Sequence, residues 1–195
     1  MIASFLALLA AAQAPAIVRT PPPVFNPRPK SEVRTYQEDA GGWAIAIDDT
    51  LSGGCFAVRA FDEGTVVRVG INPKDNNFYI VVGNPKWRSL EVGKSYSIRW
   101  QFDSELPWDG TAHGFQFSSG GDHYLFQTFS DTEFFKEFVA KTRMTIYWET
   151  KRIATVSLDG TGQAVQATVQ CQKREFNTQD PFAAAPETDD PFAKK

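Results

Sequence analysis

The middle of the chain alternates large apolar residues with small or polar ones. The alternation is clearest in four segments, 43–47, 56–60, 67–71 and 96–102. A period of two is typical of β-strands that bury one face. Residues 78–82 are apolar throughout, which is the pattern of a central strand. Turn-forming residues separate these segments, so the pattern predicts an antiparallel β-sandwich or barrel-like domain.

The pattern changes in the second half of the chain. Residues 115–117 and 124–126 flank a turn rich in serine and glycine, and they predict a hairpin. Ser130 and Glu133 then have the spacing of a capping box, in which the serine oxygen accepts from a helix amide. The following apolar residues fall on one helical face up to residue 140 or 141: Phe134, Phe135, Phe138 and Val139.

A second hairpin and a second helix are predicted near the end of the domain. Residues 144–148 and 153–158 alternate again on either side of a turn at 149–152. A short helix is expected from Gln163 to about Cys171, with Ala164, Thr168 and Cys171 in one row. The predicted fold class is therefore α+β, mainly β, with two short helices in the C-terminal half.

Composition divides the chain outside this domain. Residues 1–16 have an apolar core that grades into alanines and predict a signal peptide, cleaved after residue 12, 14 or 16. No Lys or Arg precedes that core, which leaves open a buried helix over residues 2–14. The core is shorter than the ~20 residues of a membrane span. Residues 17–38 predict a proline-rich spacer, and residues 39–175 a single β-rich domain.

Residues 176–195 have no apolar periodicity, and their composition predicts a disordered tail. The sequence Asp-Pro-Phe-Ala occurs at residues 180–183 and again at 190–193. In each copy a proline that favours a turn precedes an apolar anchor, Phe182 or Phe192. Two such motifs on one tether can bind a grooved partner with avidity. The alternative is a solvated tail whose repeat arose by local duplication.

The chain has two cysteines, Cys55 and Cys171. They lie at the start of the second predicted strand and at the end of the last predicted helix. In the oxidising compartment that a signal peptide implies, a bridge between them is expected. It would stabilise the domain by roughly 4–5 kcal/mol, because it constrains the unfolded chain. Two buried free thiols are the alternative, since the sequence gives no distance between them. The expected location is periplasmic or secreted.

Charge excludes two classes of partner. The chain carries 20 Lys and Arg against 23 Asp and Glu, a net charge of −3 with both signs interspersed. It therefore has neither the basic surface that nucleic acid requires nor a polybasic stripe for anionic lipid. A protein partner is the remaining expectation, and the oligomeric state is left open.

Few residues could support metal binding or covalent catalysis. His113 and His123 fall in two predicted strands of one hairpin and, with Asp122, could supply three zinc ligands. Their spacing matches no metal motif, so we expect no metal and no cofactor. The chain contains no Gly-x-Ser-x-Gly and no phosphate-binding glycine loop. Neither cysteine lies in a Cys-x-x-Cys motif or has a histidine nearby, which argues against a catalytic thiol.

Three carboxylates, Asp103, Glu105 and Asp109, cluster around Trp108 in a predicted loop. Paired carboxylates beside a tryptophan occur in glycoside hydrolases. Residues of this kind far more often form turns. We therefore expect a protein that is not an enzyme, with a hydrolase that uses residues 103–109 as the alternative.

Trp87 is the strongest single candidate for binding. It follows Pro85 in a predicted loop and is flanked by Lys86 and Arg88. A loop tryptophan between cations can contact a protein partner or a sugar ring. The alternative is that Trp87 turns inward and covers the core.

Three segments resemble a class of proteobacterial exported proteins. They are residues 55–61, residues 83–96, and residues 156–171, where a strand ending in Ser-Leu-Asp-Gly leads into a helix that contains alanine. These motifs are similar to those of the invasion-associated locus B family over about residues 40–173. A type VI secretion accessory family has a similar order of elements. This chain has one cysteine pair, whereas the invasion-associated family usually has more.

The resemblance implies a bacterial periplasmic or secreted protein of no known enzymatic activity. Together with the residues above, it predicts an exported envelope module that binds another protein without catalysing a reaction.

Overall fold

A computed structural model of the protein describes residues 33–48, 54–72, 77–117 and 121–176. The predicted signal peptide, the spacer up to residue 32 and the tail after Phe176 lie outside these residues. The described residues form one antiparallel sheet of ten strands together with two helices. This arrangement confirms the predicted α+β, mainly β fold class.

The sheet combines a meander with two crossovers, from β5 to β6 and from β8 to β9. Its strands are β1 (Arg34–Gln37), β2 (Ala44–Asp48), β3 (Gly54–Ala60), β4 (Val66–Asn72), β5 (Asn77–Gly83), β6 (Ser95–Phe102), β7 (Trp108–Phe115), β8 (Tyr124–Phe129), β9 (Arg143–Trp148) and β10 (Lys151–Ser157). Helix α1 (Thr132–Ala140) joins β8 to β9, and α2 (Thr161–Phe176) follows β10. The spatial order is β1-β2-β3-β4-β5-β8-β7-β6-β9-β10. The connection from β5 to β6 therefore crosses the ends of β8 and β7.

One face of the sheet packs against α1 and forms the main core. Alternate strand residues such as Ile45, Ile80 and Trp100 point to this face and are fully buried. Phe134 of α1 stacks on Phe129 with 3.7 Å between ring centroids, and its edge meets Trp100 at 6.3 Å. Aromatic pairs of this kind add to the stabilisation that burial alone provides. The helix is thus part of the core and not an addition to the surface.

The two ends of the sheet approach each other. The Trp43 Nε1–H, just before β2, donates to the Asp159 carbonyl after β10 at 3.1 Å. Gly41 and Gly160 meet backbone to backbone, with positive φ angles of 71° and 79°. A Cβ at Gly160 would collide with the Gly41 carbonyl, so this contact requires glycine. The sheet therefore curves around α1, as in a β-sandwich.

Helix α1 ends where the pattern predicts but is capped differently. Its N-cap is Asp131, whose carboxylate accepts from the Glu133 N–H at 2.8 Å, so the prediction that Ser130 caps the helix is wrong. Aspartate is as good an N-cap as serine, and its charge is favourable at a helix N-terminus. Val139 is 38% exposed and does not belong to the buried face that the pattern predicts.

Helix α2 begins earlier and ends later than the predicted short helix. At its start, the Thr161 hydroxyl donates to the Phe138 carbonyl of α1 at 3.0 Å. Near its end, Gln172 Oε1 accepts from the Cys55 N–H of β3 at 2.8 Å. Two basic residues in the last turn also favour the helix C-terminus electrostatically. Tertiary contacts at both ends therefore extend the helix beyond its apolar pattern.

A disulfide joins Cys55 of β3 to Cys171 of α2, which confirms the predicted pair. The two Cα atoms lie 6.0 Å apart and are separated by 116 residues in the sequence. Both side chains are fully buried. The bond holds the last helix against an early strand of the sheet.

The pattern misses β1 and places the start of β7 too late. β1 lies within the segment that the sequence assigns to the spacer, and it pairs with β2. β7 starts at Trp108, so the prediction that Trp108 and Asp109 lie in a loop is wrong. β1 and the first half of β7 contain few large apolar residues, so they lack the alternation that marks the other strands.

Candidate binding cleft at Trp87

A buried asparagine holds the start of the connection from β5 to β6. Asn84 Nδ2 donates to Thr65 Oγ1 at 3.0 Å and to the Glu63 carbonyl at 3.2 Å. Asn84 Oδ1 accepts from the Lys86 N–H at 3.0 Å, and the Asn84 carbonyl accepts from the Trp87 N–H at 2.9 Å. A side chain that bonds its own backbone two residues on stabilises a turn. These bonds fix the turn that presents Trp87.

Trp87 lines a cleft of 390 Å³ at one end of the strands, where β5 ends and β10 begins. Sites that bind small ligands or peptide side chains commonly have volumes of about 300–1,000 Å³. The floor of this cleft is apolar and consists of Leu90, Ile98 and Leu125. All three residues also belong to the main core. The cleft is therefore an opening into the core from the solvent.

Three aromatic side chains form the walls of the cleft: Trp87, Tyr96 and Trp148. Tyr96 meets Trp148 edge to face, with 6.1 Å between the ring centroids. The Tyr96 hydroxyl accepts from the Glu91 N–H at 2.8 Å, which fixes the ring. Trp148 is 43% exposed although it is one of the largest apolar side chains. Exposed tryptophan and tyrosine at a cleft are typical of protein-binding surfaces.

Three cations line the rim of the cleft: Lys86, Lys151 and Arg152. All three are exposed, and within the described residues none pairs with a carboxylate. Of the aspartates and glutamates in the described part of the chain, none lines the cleft. The cleft therefore combines an apolar interior with an uncompensated positive rim. A ligand that carries an apolar group next to an acidic one matches this arrangement.

The structure separates the three candidate residues of the Trp87 loop. Trp87 is half-buried and packs against the core, yet it also lines the cleft. Lys86 lies on the rim of the cleft, whereas Arg88 lines a smaller pocket of 150 Å³ on the other side of Trp87. That pocket also contains Asp122 and His123. Trp87 therefore covers part of the core and is also accessible to a ligand in the cleft.

The other candidate binding residues, Phe182 and Phe192, lie in the tail outside the described residues. The two histidines are placed apart. His113 lies in β7, where its Nδ1 is 3.2 Å from Ser95 Oγ, and its cross-strand partner on β8 is Phe126. His123 precedes β8, so the prediction that it lies in a strand is wrong. Among the described residues, no group of three or more acidic, histidine or cysteine side chains could hold a metal ion.

Each of the three carboxylates of the alternative hydrolase has a partner in the fold, and Asp103 and Glu105 both lie near Lys141. Asp103 accepts from the Thr142 hydroxyl at 2.8 Å and from the Arg143 N–H at 3.0 Å. Glu105 pairs with Lys141 at 2.5 Å, and Asp109 pairs with Arg99 at 3.0 Å. None of the three lines the Trp87 cleft.

Hydrogen bonds from Thr142 hold the pKa of Asp103 below its ordinary value. The hydroxyl contributes most, and the backbone N–H groups and the Lys141 charge act in the same direction. Asp103 also has a positive φ of 46°, which an aspartate tolerates better than most residues. Its carboxylate thus connects the β6–β7 turn to the start of β9, a structural role.

A buried cation, Arg68, lies on the face of the sheet that points away from α1 and the main core. Arg68 of β4 is 5% exposed and donates to Asp48 Oδ2 at 2.9 Å. Its Nε and one terminal nitrogen donate to the Tyr79 hydroxyl at 3.0 and 2.7 Å. Its guanidinium carbon lies 3.5 Å from the centre of the Phe56 ring, a cation–π contact. Burial raises the pKa of Tyr79, and the Arg68 charge partly offsets this rise.

Sequence reasoning missed Trp148, Lys151 and Arg152, which are three of the eleven residues that line the cleft. These residues flank the β9–β10 turn, where Glu149 has a positive φ of 54°. Their pattern correctly predicts a hairpin, but it gives no sign that this hairpin meets the Trp87 loop. The only available signal was a tryptophan at an exposed hairpin end followed by two basic residues.

No helix among the described residues has the length and apolar character needed to span a membrane. Known protein families, curated proteins and solved structures contain no match to this chain. The resemblance to the invasion-associated locus B family therefore stays a prediction.

Proposed function

We propose that the protein is an exported module of the bacterial envelope that binds another protein through the Trp87 cleft and does not act as an enzyme. The observation that supports this function best is the positive rim of the cleft. Lys86, Lys151 and Arg152 surround an apolar interior, and within the described residues they have no acidic partner. A partner segment would insert an apolar side chain and place an acidic group at the rim.

The aromatic walls favour a protein partner. Trp87, Tyr96 and Trp148 offer large apolar surfaces with few rotatable bonds, so they lose little entropy when a partner orders them. Tyrosine and tryptophan are enriched among the residues that dominate the energy of protein interfaces. The exposed fraction of Trp148 supports the same proposal, because burying it in an interface would remove apolar surface from water.

Export is supported by the buried Cys55–Cys171 disulfide and by the predicted signal peptide. Disulfides of this kind persist in oxidising compartments. The intact mass of the unreduced protein, recovered from the periplasm and from the medium, tests this point. We expect a chain that starts near residue 13, 15 or 17, is two hydrogens lighter than the dithiol and resists alkylation. A full-length chain with two free thiols would contradict export.

Photo-crosslinking in the native host tests the binding function. We expect Lys86→p-benzoylphenylalanine, at the rim, to form one dominant adduct with a partner protein that mass spectrometry identifies. The matched control is Lys136→p-benzoylphenylalanine on α1, an exposed lysine that does not line the cleft. Adding Trp148→Ala should reduce the Lys86 adduct by about tenfold, since hot-spot aromatic residues contribute 1–2 kcal/mol or more. Equal adducts at both positions would contradict a role for the cleft.

A further inference from the structure

The cleft requires an apolar side chain beside an acidic group, and this chain contains that combination twice. We propose that the second Asp-Pro-Phe repeat of the tail, residues 190–192, occupies the Trp87 cleft of its own molecule. This inference rests on the proposed function of the cleft as a peptide-binding site.

The acidic residues that precede Phe192 match the cleft more fully than those that precede Phe182. Phe192 is preceded by Asp189 and Asp190 and is followed, after Ala193, by Lys194 and Lys195, whereas Phe182 is preceded by Asp180 alone. Two adjacent carboxylates complement a rim of three unpaired cations more fully than one does. A phenylalanine ring fits the apolar floor and the aromatic walls, where edge-to-face contacts with tryptophan and tyrosine are available.

The geometry of α2 sets the distance that the tail must cover. Near the end of α2, Gln172 contacts Cys55 at the start of β3, and Glu175 pairs with Arg34 at the start of β1 at 2.7 Å. The cleft lies at the opposite ends of the strands, where β5 ends and β10 begins. A strand of seven residues, such as β3, spans about 23 Å. The path from the end of α2 to the cleft runs the length of the strands and also crosses the sheet from β3 to β6. It is therefore longer than about 23 Å.

Only the second repeat is far enough from the end of α2 to cover this distance. From Phe176, the six residues to Phe182 span at most about 20 Å, whereas the sixteen residues to Phe192 span about 55 Å. The first repeat therefore cannot reach the cleft of its own molecule, and the second can reach it without being fully extended. A tether of this length gives an effective concentration on the order of millimolar, sufficient to occupy a site of modest affinity. A partner must then displace residues 190–192 before it can bind.

Photo-crosslinking within the full-length chain tests this inference. We expect Phe192→p-benzoylphenylalanine in dilute protein to form adducts with peptides that contain Trp87, Trp148 or Lys151, at the mass of a single chain. The same substitution at Phe182 is the matched control, because it has the same motif and a tether that is too short. At the mass of a single chain, Phe192 should give the cleft adduct and Phe182 should give none, because the first repeat is too short to reach the cleft.

Charge reversal adds a second measurement. Lys151→Glu with Arg152→Glu should lower the Phe192 adduct about threefold or more, and Asp189→Lys with Asp190→Lys in that background should restore it. Lys136→Glu on α1 is the control that should leave the yield unchanged. Similar yields from Phe182 and Phe192, adducts outside the cleft, or adducts that only join two chains would overturn the inference.

The two proposals fail in different ways. Phe192→Ala frees the cleft, so it should increase the partner adduct formed at Lys86. A partner adduct at Lys86 without any cleft adduct from residue 192 would overturn the inference and leave the proposed function standing. A cleft adduct from residue 192 without a partner adduct would support the inference and contradict the proposed protein partner.

Discussion

Two groups of cations in this protein have opposite surroundings. Arg68 is 5% exposed and contacts a carboxylate, a phenol and an aromatic ring inside the fold. Lys151 and Arg152 are exposed beside an apolar cleft and have no acidic partner among the described residues. A buried cation is tolerated only when the fold supplies its partners, whereas an exposed one can take a partner from a ligand. The supply of counter-charge, and not the cation itself, separates a structural site from a binding site.

The largest effect is expected from removing the buried cation. Arg68→Met takes the positive charge away from the buried Asp48 carboxylate and should lower the free energy of unfolding by about 3–5 kcal/mol. The matched change at the cleft, Lys151→Met, should alter it by no more than about 0.5 kcal/mol, because the side chain is exposed and unpaired. Urea unfolding of both variants measures the contrast. Equal losses would show that the cleft cations are also structural.

The phenol that completes the Arg68 site should have the next largest effect. Tyr79→Phe removes the acceptor of two Arg68 hydrogen bonds and should cost about 1–3 kcal/mol in urea unfolding. The same residue predicts a pH dependence. Its folded pKa is raised, so the unfolded chain loses the Tyr79 proton first, and stability should fall as the pH rises above the ordinary tyrosine value of 10.0. If Tyr79→Phe keeps the full alkaline loss of stability, this assignment is wrong.

A smaller effect is expected at the hairpin of the cleft. Glu149 has a positive φ of 54°, a conformation that asparagine adopts at lower cost. Glu149→Asn should therefore raise the free energy of unfolding by about 0.5–1 kcal/mol. It also removes a negative charge next to Lys151, so the partner adduct at Lys86 should increase. A variant that is less stable than the parent in urea would show that the Glu149 side chain supports the turn.

The smallest effect is expected from Asp103. Its carboxylate is neither paired like Arg68 nor unpaired like the cleft cations, because neutral hydrogen-bond donors satisfy most of its charge. Its folded pKa is lowered, so its contribution to stability is present above the ordinary value of 3.8 and is lost as the pH falls through the folded pKa. Asp103→Asn should reduce the loss of stability on acidification below pH 3.8. Thermal unfolding followed across this range measures the change. An unaltered acid profile would exclude Asp103 as a contributor.

The core strands could be predicted because each of them carries its own signal. The alternation at Ile45 and Ile47, or the apolar run around Ile80, depends only on neighbouring residues. The start of β7 could not be predicted, because Asp109, Thr111 and His113 alternate with glycine and alanine. The Asp131 cap was missed because two good cap residues are adjacent, and tertiary packing decides between them.

The candidate site could be predicted only in part. Trp87 and Lys86 were found from a loop composition, whereas Trp148 and Lys151 come from a hairpin about sixty residues later. Their proximity follows from the strand order, in which β6 pairs with β9 and the connection from β5 crosses the ends of β8 and β7. Strand order depends on long-range pairing, and one sequence without relatives contains little information about it.

The disulfide has a consequence for the order in which the chain can mature. Cys171 is synthesised 116 residues after Cys55 and lies within the last described helix. During synthesis, Cys55 therefore has no cysteine partner in its own chain until almost the whole domain has been made. A chain that stops before residue 171 cannot close the bond, and its unpaired Cys55 distinguishes it chemically from a finished molecule. Formation of the bond thus reports that synthesis of the domain is complete.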